Sequence, residues 1–154
     1  MKSLHIFWTV LLFALLVSCA VEKKNELEGA WEFVSGRTTT PDTTFEYTHD
    51  DWNEIKVLTK SHWVFVGQEP NRPKFTEGGT DAELLAAAET FNAGGGKYTL
   101  EGDTYTEHIE YFLNPNAVNV SIPFKYQLED DQWTISGTWP ETNTELYEVW
   151  RRIE

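Results

Sequence analysis

Cysteine occurs once in this chain, at position 19, so its 154 residues cannot form an intrachain disulfide, a Cys-based zinc site or a Cys-His catalytic pair. Basic residues are scarce as well. Twelve Lys and Arg stand against 25 Asp and Glu, and a formal charge of −13 repels phosphate backbones, so nucleic acid is not an expected partner. Gly94-Gly95-Gly96-Lys97-Tyr98 lacks the Ser or Thr and the upstream glycine of a phosphate loop, and reads instead as a glycine-rich strand entrance. Gly-x-Ser-x-Gly, His-Glu-x-x-His and calcium-loop patterns do not occur. His49, His62 and His108 fall on different elements without a metal-ligand spacing, so neither a metal nor a cofactor is expected.

Long apolar runs are also missing. Ile6 to Val17 is the one notable run, and it falls short of the roughly 20 residues that span a bilayer. It follows Met1-Lys2 and ends in Leu16-Val17-Ser18-Cys19, which resembles the bacterial lipoprotein signal motif. That resemblance implies a removable signal peptide over 1–18, a lipidated Cys19, a polar tether over 19–28 and attachment to a cell-envelope membrane.

What the rest of the chain has is alternation. Gly94 to Phe112 predicts two long strands joined at Glu101-Gly102-Asp103, with Tyr105, Glu107, Ile109 and Tyr111 on one face and Thr104, Thr106, His108 and Glu110 on the other. Gly29 to Ser35 is a first strand, and Gly36 to Trp52 reads as a long loop. Glu54 to Lys60 and His62 to Gly67 form a hairpin whose two-residue turn sets Thr59 opposite His62. That register groups Ile55, Val57, His62, Val64 and Val66, which are taken as the inner face, and turns Trp63 and Phe65 outward. Thr80-Asp81-Ala82-Glu83 is a capping box opening a helix to about Phe91, with Leu84, Leu85, Ala88 and Phe91 as its apolar side. Strands over Val118 to Leu128, Trp133 to Gly137 and Glu145 to Ile153 complete the set, with Pro123 expected where neighbouring strands separate.

Eight antiparallel strands in sequence order predict an all-β up-and-down barrel with one short helix between the third and fourth strands; a sandwich is the main rival. The connections at 60–61, 101–103 and 129–131 are tight, whereas those at 36–52, 68–93, 113–117 and 139–144 are long. In such a barrel the two sets fall at opposite ends, giving a cup with a closed base and an elaborated mouth.

Gly29-Ala30-Trp31 at the start of the first strand, Glu148-Val149-Trp150-Arg151-Arg152 at the end of the last, and the segments Lys56 to Phe65 and Gly94 to Tyr111 between them resemble the lipocalin-like domains of bacterial lipoproteins. The resemblance covers most of 29–154. It implies a calyx for a small hydrophobic or amphipathic molecule, with Trp31 packed under a C-terminal arginine at the closed end. Alternation selects Arg152, which shares a face with Trp150. The helix at Asp81 and the lack of a C-terminal helix depart from that pattern and leave the guest open.

The expected lining comprises His62, Tyr98, Glu107, Ile109, Tyr111, Phe124 and Glu148, with Trp31, Trp150 and Arg152 at the closed end. Buried carboxylates are expensive unless paired, protonated or wetted, so Glu107 and Glu148 are either guest-binding groups or members of an internal network. Two other readings stay open. One is an isomerase or cyclase using Glu107 and His62; the other is a barrel filled by its own tryptophans, acting as an interaction module. Outward Trp63, Phe65, Tyr147 and Val149 would provide a surface for a homodimer.

Overall fold

The computed structural model describes residues 25–76 and 78–154. The expected signal peptide, Cys19 and most of the tether lie outside the described residues. Nine strands are present: β1 (Gly29–Thr39), β2 (Thr44–Thr48), β3 (Asn53–Leu58), β4 (His62–Gln68), β5 (Phe91–Glu101), β6 (Thr104–Phe112), β7 (Ser121–Glu129), β8 (Gln132–Trp139) and β9 (Thr144–Arg152). They pair antiparallel, and β1 also pairs with β9 from Trp31↔Arg152 to Thr39↔Glu145, which closes the sheet.

Eight of these strands form the barrel wall. The ninth, β2, lies within the stretch that its Thr and Asp content marks as a loop. It pairs with Ser35 to Thr39 of β1, beyond Glu32↔Ile55, where the β1–β3 pairing stops. The chain thereby covers an edge that would otherwise present unpaired backbone groups. Because β2 adds one strand to the count, the helix α1 (Asp81–Glu89) sits between β4 and β5. Its capping box is formed as the sequence predicts, with Thr80 and Glu83 exchanging bonds. The apolar side is another matter: Leu84 and Leu85 are exposed, and Phe91 already belongs to β5.

Strand phase accounts for the main departures from the sequence reading. The β3–β4 register is the expected one, with Leu58↔Trp63 and Lys56↔Phe65, yet the hairpin presents its other face to the interior. Lys56, Leu58 and Trp63 are buried, whereas Ile55, Val66 and Val64 (54% exposed) are on the outer wall. Burying two aromatic rings outweighs burying the smaller β-branched side chains. In β6 the pairing moves from Gly96↔Ile109 to Gly95↔Tyr111, so Glu110 is a bulge. A one-residue bulge reverses the alternation beyond it. Tyr111 consequently points outward at 72% exposure, and Phe112 takes the inner position. A second bulge in β1, between Phe33 and Ser35, resets that strand as well.

In β7 the strand begins at Ser121 rather than Val118, because a 3-10 turn over Pro115–Ala117 and a positive φ of 71° at Asn119 intervene. Pro123 falls one residue before the β7–β8 pairing begins at Phe124↔Gly137. The missing N–H is thus tolerated where the strands part.

The closed half is solid. Leu27, Trp31, Trp63, Tyr105, Trp133 and Trp150 are all essentially inaccessible there. Trp133 lies 5.3 Å from Trp31, 5.3 Å from Tyr105 and 6.2 Å from Trp150, centroid to centroid. Each such ring contributes roughly 2–3 kcal/mol by leaving water, and the cluster fixes the base on which the open half rests.

Candidate functional site

Above the tryptophan base the barrel is hollow. A cavity of about 480 Å³ opens toward the long-loop end, walled by Phe33, Tyr47, Phe65, Phe112, Phe124 and Trp139. Phe65 and Phe112 stand 5.6 Å apart and Phe112 and Trp139 6.0 Å apart, so one wall is a continuous aromatic ladder from base to rim. Such a volume exceeds that of a few trapped waters and lies within the range of small-molecule sites. The filled-barrel reading therefore holds for the closed half alone.

The floor of the cavity is charged. Lys56 Nζ lies 3.0 Å from Glu107 Oε1 and 3.9 Å from Glu148 Oε2. Tyr105 donates its hydroxyl to the same Glu107 oxygen at 2.9 Å, and Trp150 Nε1 donates to Glu148 Oε2 at 3.0 Å. The ammonium also sits over the rings of Trp150, Trp133 and Trp63 at 4.7, 5.6 and 5.7 Å. Nearer the mouth, Trp52 Nε1 donates to Glu54 Oε2 at 2.7 Å. Every buried charge on this floor has a partner, as the cost of desolvation requires.

Burial lowers the proton affinity of Lys56, but the carboxylates of Glu107, Glu148 and Glu54 outweigh it and the net shift is upward. Lys56 is therefore a fixed cation. Glu54 is pushed up to about 7, by desolvation first and then by the like charge of Glu148, against the opposing pull of Lys56 and Trp52. Glu148 is also raised, again by burial first. Desolvation followed by the charge of Glu107 drives the Tyr105 hydroxyl well above its ordinary range, so it remains a donor.

Of the residues singled out from sequence, Glu107, Ile109, Phe124 and Glu148 line this cavity. Tyr98 is interior but lies lower, where its hydroxyl donates to the Thr59 carbonyl at 2.6 Å and accepts from Asn25. His62 and Tyr111 are corrections. His62 lies exposed beside Ser61 because β4 turns its other face inward, and Tyr111 is carried outward by the β6 bulge. With His62 outside, the Glu107–His62 acid–base pair of the isomerase or cyclase reading does not form. Trp63 and Phe65, expected on the outer wall, stack inside at 5.9 Å.

Lys56, Glu54, Trp52 and Phe112 escaped the sequence reading. A signal for Lys56 existed: placing Trp63 and Phe65 inward forces Lys56 inward too, since it pairs with Phe65. The same phase carries Glu54 inward, two residues before Lys56 on β3, whereas no local pattern marks Trp52, which reaches the cavity from the turn that follows β2.

At the sealed end Arg152 lies 4.1 Å over the Trp31 ring and donates to the carbonyls of Glu28 and Glu26 at 2.8 and 2.6 Å. Tryptophan, arginine and the paired first and last strands close the base, and the other end is hollow. The barrel is lipocalin-like. Residues 82–154 match the model of a domain of unknown function, DUF4488. Among solved structures, the chain is similar to a lipocalin-like protein from Bacteroides uniformis at 14% identity and a TM-score of 0.44, over 84% of this chain and 100% of that one. It is similar to an uncharacterized protein from Bacteroides eggerthii at 12% identity and a TM-score of 0.42, over 82% and 99%. A variant of the fluorescent protein UnaG aligns at 8% identity and a TM-score of 0.38, over 82% and 96%. No curated protein matches the chain.

Proposed function

We propose that this protein binds or carries a small hydrophobic or amphipathic molecule in the open half of its barrel, from a lipid anchor at Cys19 in the cell envelope. The observation that carries the reading is the 480 Å³ cavity, aromatic and apolar on much of its wall, with charged groups on its floor and toward its mouth. Such a site removes the body of a guest from water and orients it by one polar end. The tether enters at the sealed base, where Leu27 is buried beneath Trp31. A chain anchored from that side would hold the mouth away from the membrane, free to exchange its guest with the surrounding compartment.

Titration with a panel of lipid-like and aromatic probes, read by tryptophan fluorescence, tests the binding. Trp52 and Trp139 line the cavity and should report a saturable change. Leu146→Trp, which fills the cavity from β9 without touching the base, should abolish it. A wild-type protein without a saturable response, or a response that survives in the filled variant, defeats the reading. Labelling with a radioactive fatty acid, with Cys19→Ala as the comparison, tests the anchor.

A second reading rests on the outer wall. Ile55 lies opposite Val66, and Val64 and Tyr111 flank Gly95 from either side, making an exposed apolar stripe across β3 to β6. We infer that a homodimer, if one forms, uses this stripe rather than Trp63 and Phe65. Sedimentation of wild type against Val64→Lys measures it.

A further inference from the structure

We propose that the polar end of the guest is cationic, an amine or guanidinium on an aromatic or aliphatic body, held between Glu54 and Glu148 and the rings beside them. The inference rests on the container reading above and names the class of molecule. Five carboxylates line the cavity, from Asp51, Glu54, Glu69, Glu107 and Glu148, and one cation, Lys56, stands against them. Among the described residues no arginine or histidine lines it. Lys56 is also already engaged: its side chain is 5% exposed, it is 3.0 Å from Glu107 and 3.9 Å from Glu148, and indole rings surround the rest of its ammonium. An anionic head would have to break that pair, and at the mouth it would pass Asp51 and Glu69.

A cation meets the opposite situation. Glu54 and Glu148 each receive one indole N–H on a single oxygen, and the second oxygen of each has no partner among the described residues. Both are raised in proton affinity by burial and by like charge, a penalty that an arriving ammonium relieves. Phe33 and Tyr47, stacked on each other at 5.4 Å, line the same cavity, and Tyr47 lies within electrostatic reach of Glu148 and Glu54, so aromatic surface stands beside the two carboxylates. The groups around Glu54 are Lys56 on its own strand, Glu148 on β9, Glu107 on β6, Tyr47 on β2 and Asp51 and Trp52 before β3, with His49 bordering its outer side. Binding of an ammonium should therefore displace a proton from the Glu54–Glu148 pair near neutrality.

Three probes with a common tail, phenylhexylamine, phenylhexanol and phenylhexanoate, separate the possibilities by isothermal titration calorimetry on the wild-type barrel. At about pH 8 the amine should bind at least about tenfold more tightly than the alcohol, with the carboxylate weakest. Repeating the titration at about pH 6.5, below the value of about 7 that Glu54 holds, in buffers of different ionisation enthalpy should reveal proton release on amine binding and none with the alcohol. In the double variant Glu54→Gln, Glu148→Gln the amine's advantage over the alcohol should vanish; the alcohol arm and a thermal melt report whether the variant still folds with its cavity. A carboxylate bound as tightly as the amine, or an amine preference that survives in the double variant, overturns the inference and leaves the container reading standing. Failure of all three probes to bind overturns the container reading, and the inference with it.

Discussion

The ammonium of Lys56 and the carboxylate of Glu107 meet at 3.0 Å across the interior of the barrel, from strands β3 and β6, which are not neighbours in the sheet. At 4% and 5% exposure the two residues are the only charged ones counted among the buried core of the described residues. The pair divides the solid base from the hollow half. Replacing Lys56 by Met leaves Glu107 and Glu148 buried beside each other without a cation, and should cost about 3–5 kcal/mol in urea unfolding. Adding Glu107→Gln to Lys56→Met should recover a large part of that loss. A single variant as stable as wild type would show that the carboxylates are protonated or hydrated there.

Stability should depend on pH through Glu54. Its folded-state value, about 7, lies above the ordinary 4.5, so the folded protein holds this proton more tightly than the unfolded chain. The resulting stabilisation is fully present below about pH 4.5 and is lost as pH rises through about 7. Between about pH 8 and pH 5.5 the unfolding free energy should increase by about 1–3 kcal/mol, the lower part of that range reflecting screening by water in the open cavity. Glu83 and Asp103 are depressed instead, so their effects fall at more acid pH, outside this window. Glu148 is raised as well and acts in the same direction, so Glu54→Gln should reduce the slope and adding Glu148→Gln should flatten it, which thermal melts across the range will measure.

Arg152 ties the N-terminal segment to the base through Trp31 and through the carbonyls of Glu26 and Glu28. Arg152→Ala should lower stability by about 1–2 kcal/mol and selectively increase amide exchange at residues 25–30. Unchanged exchange there would mean that the burial of Leu27 alone holds the segment.

Two glycines should respond differently to alanine. A Cβ at Gly96 would land on the backbone carbonyl of His108, next to the β6 bulge, and neither strand can withdraw without breaking the pairing. Gly96→Ala should cost about 3 kcal/mol. Gly102 turns the β5–β6 hairpin at φ 62°, and a Cβ there meets only open space. Gly102→Ala should therefore cost only about 1–2 kcal/mol, the conformational penalty of the left-handed region. Equal losses in chemical denaturation would contradict this distinction.

Alternation and turn chemistry along the chain determined the eight strands of the barrel wall, though not β2, together with the capping of α1, the β3–β4 register and the division between tight and long connections, because each is a local consequence of side-chain period and turn residues. The family resemblance set Trp31 under a C-terminal arginine, and alternation in the last strand selected Arg152, which shares a face with Trp150. Only the tertiary structure decided which face of the β3–β4 hairpin turns inward, because both faces carry large apolar side chains, and the inward one brings Glu54 and Lys56 with it only where the rest of the barrel supplies charged and aromatic partners. The bulge at Glu110, which exchanges Tyr111 for Phe112, likewise follows from the close pairing of Gly96 with Ile109, and nothing within β6 itself announces it. The charged floor is the outcome of these long-range choices: Lys56, Glu107 and Glu148 come from three separated strands, and their meeting depends on closure of the barrel.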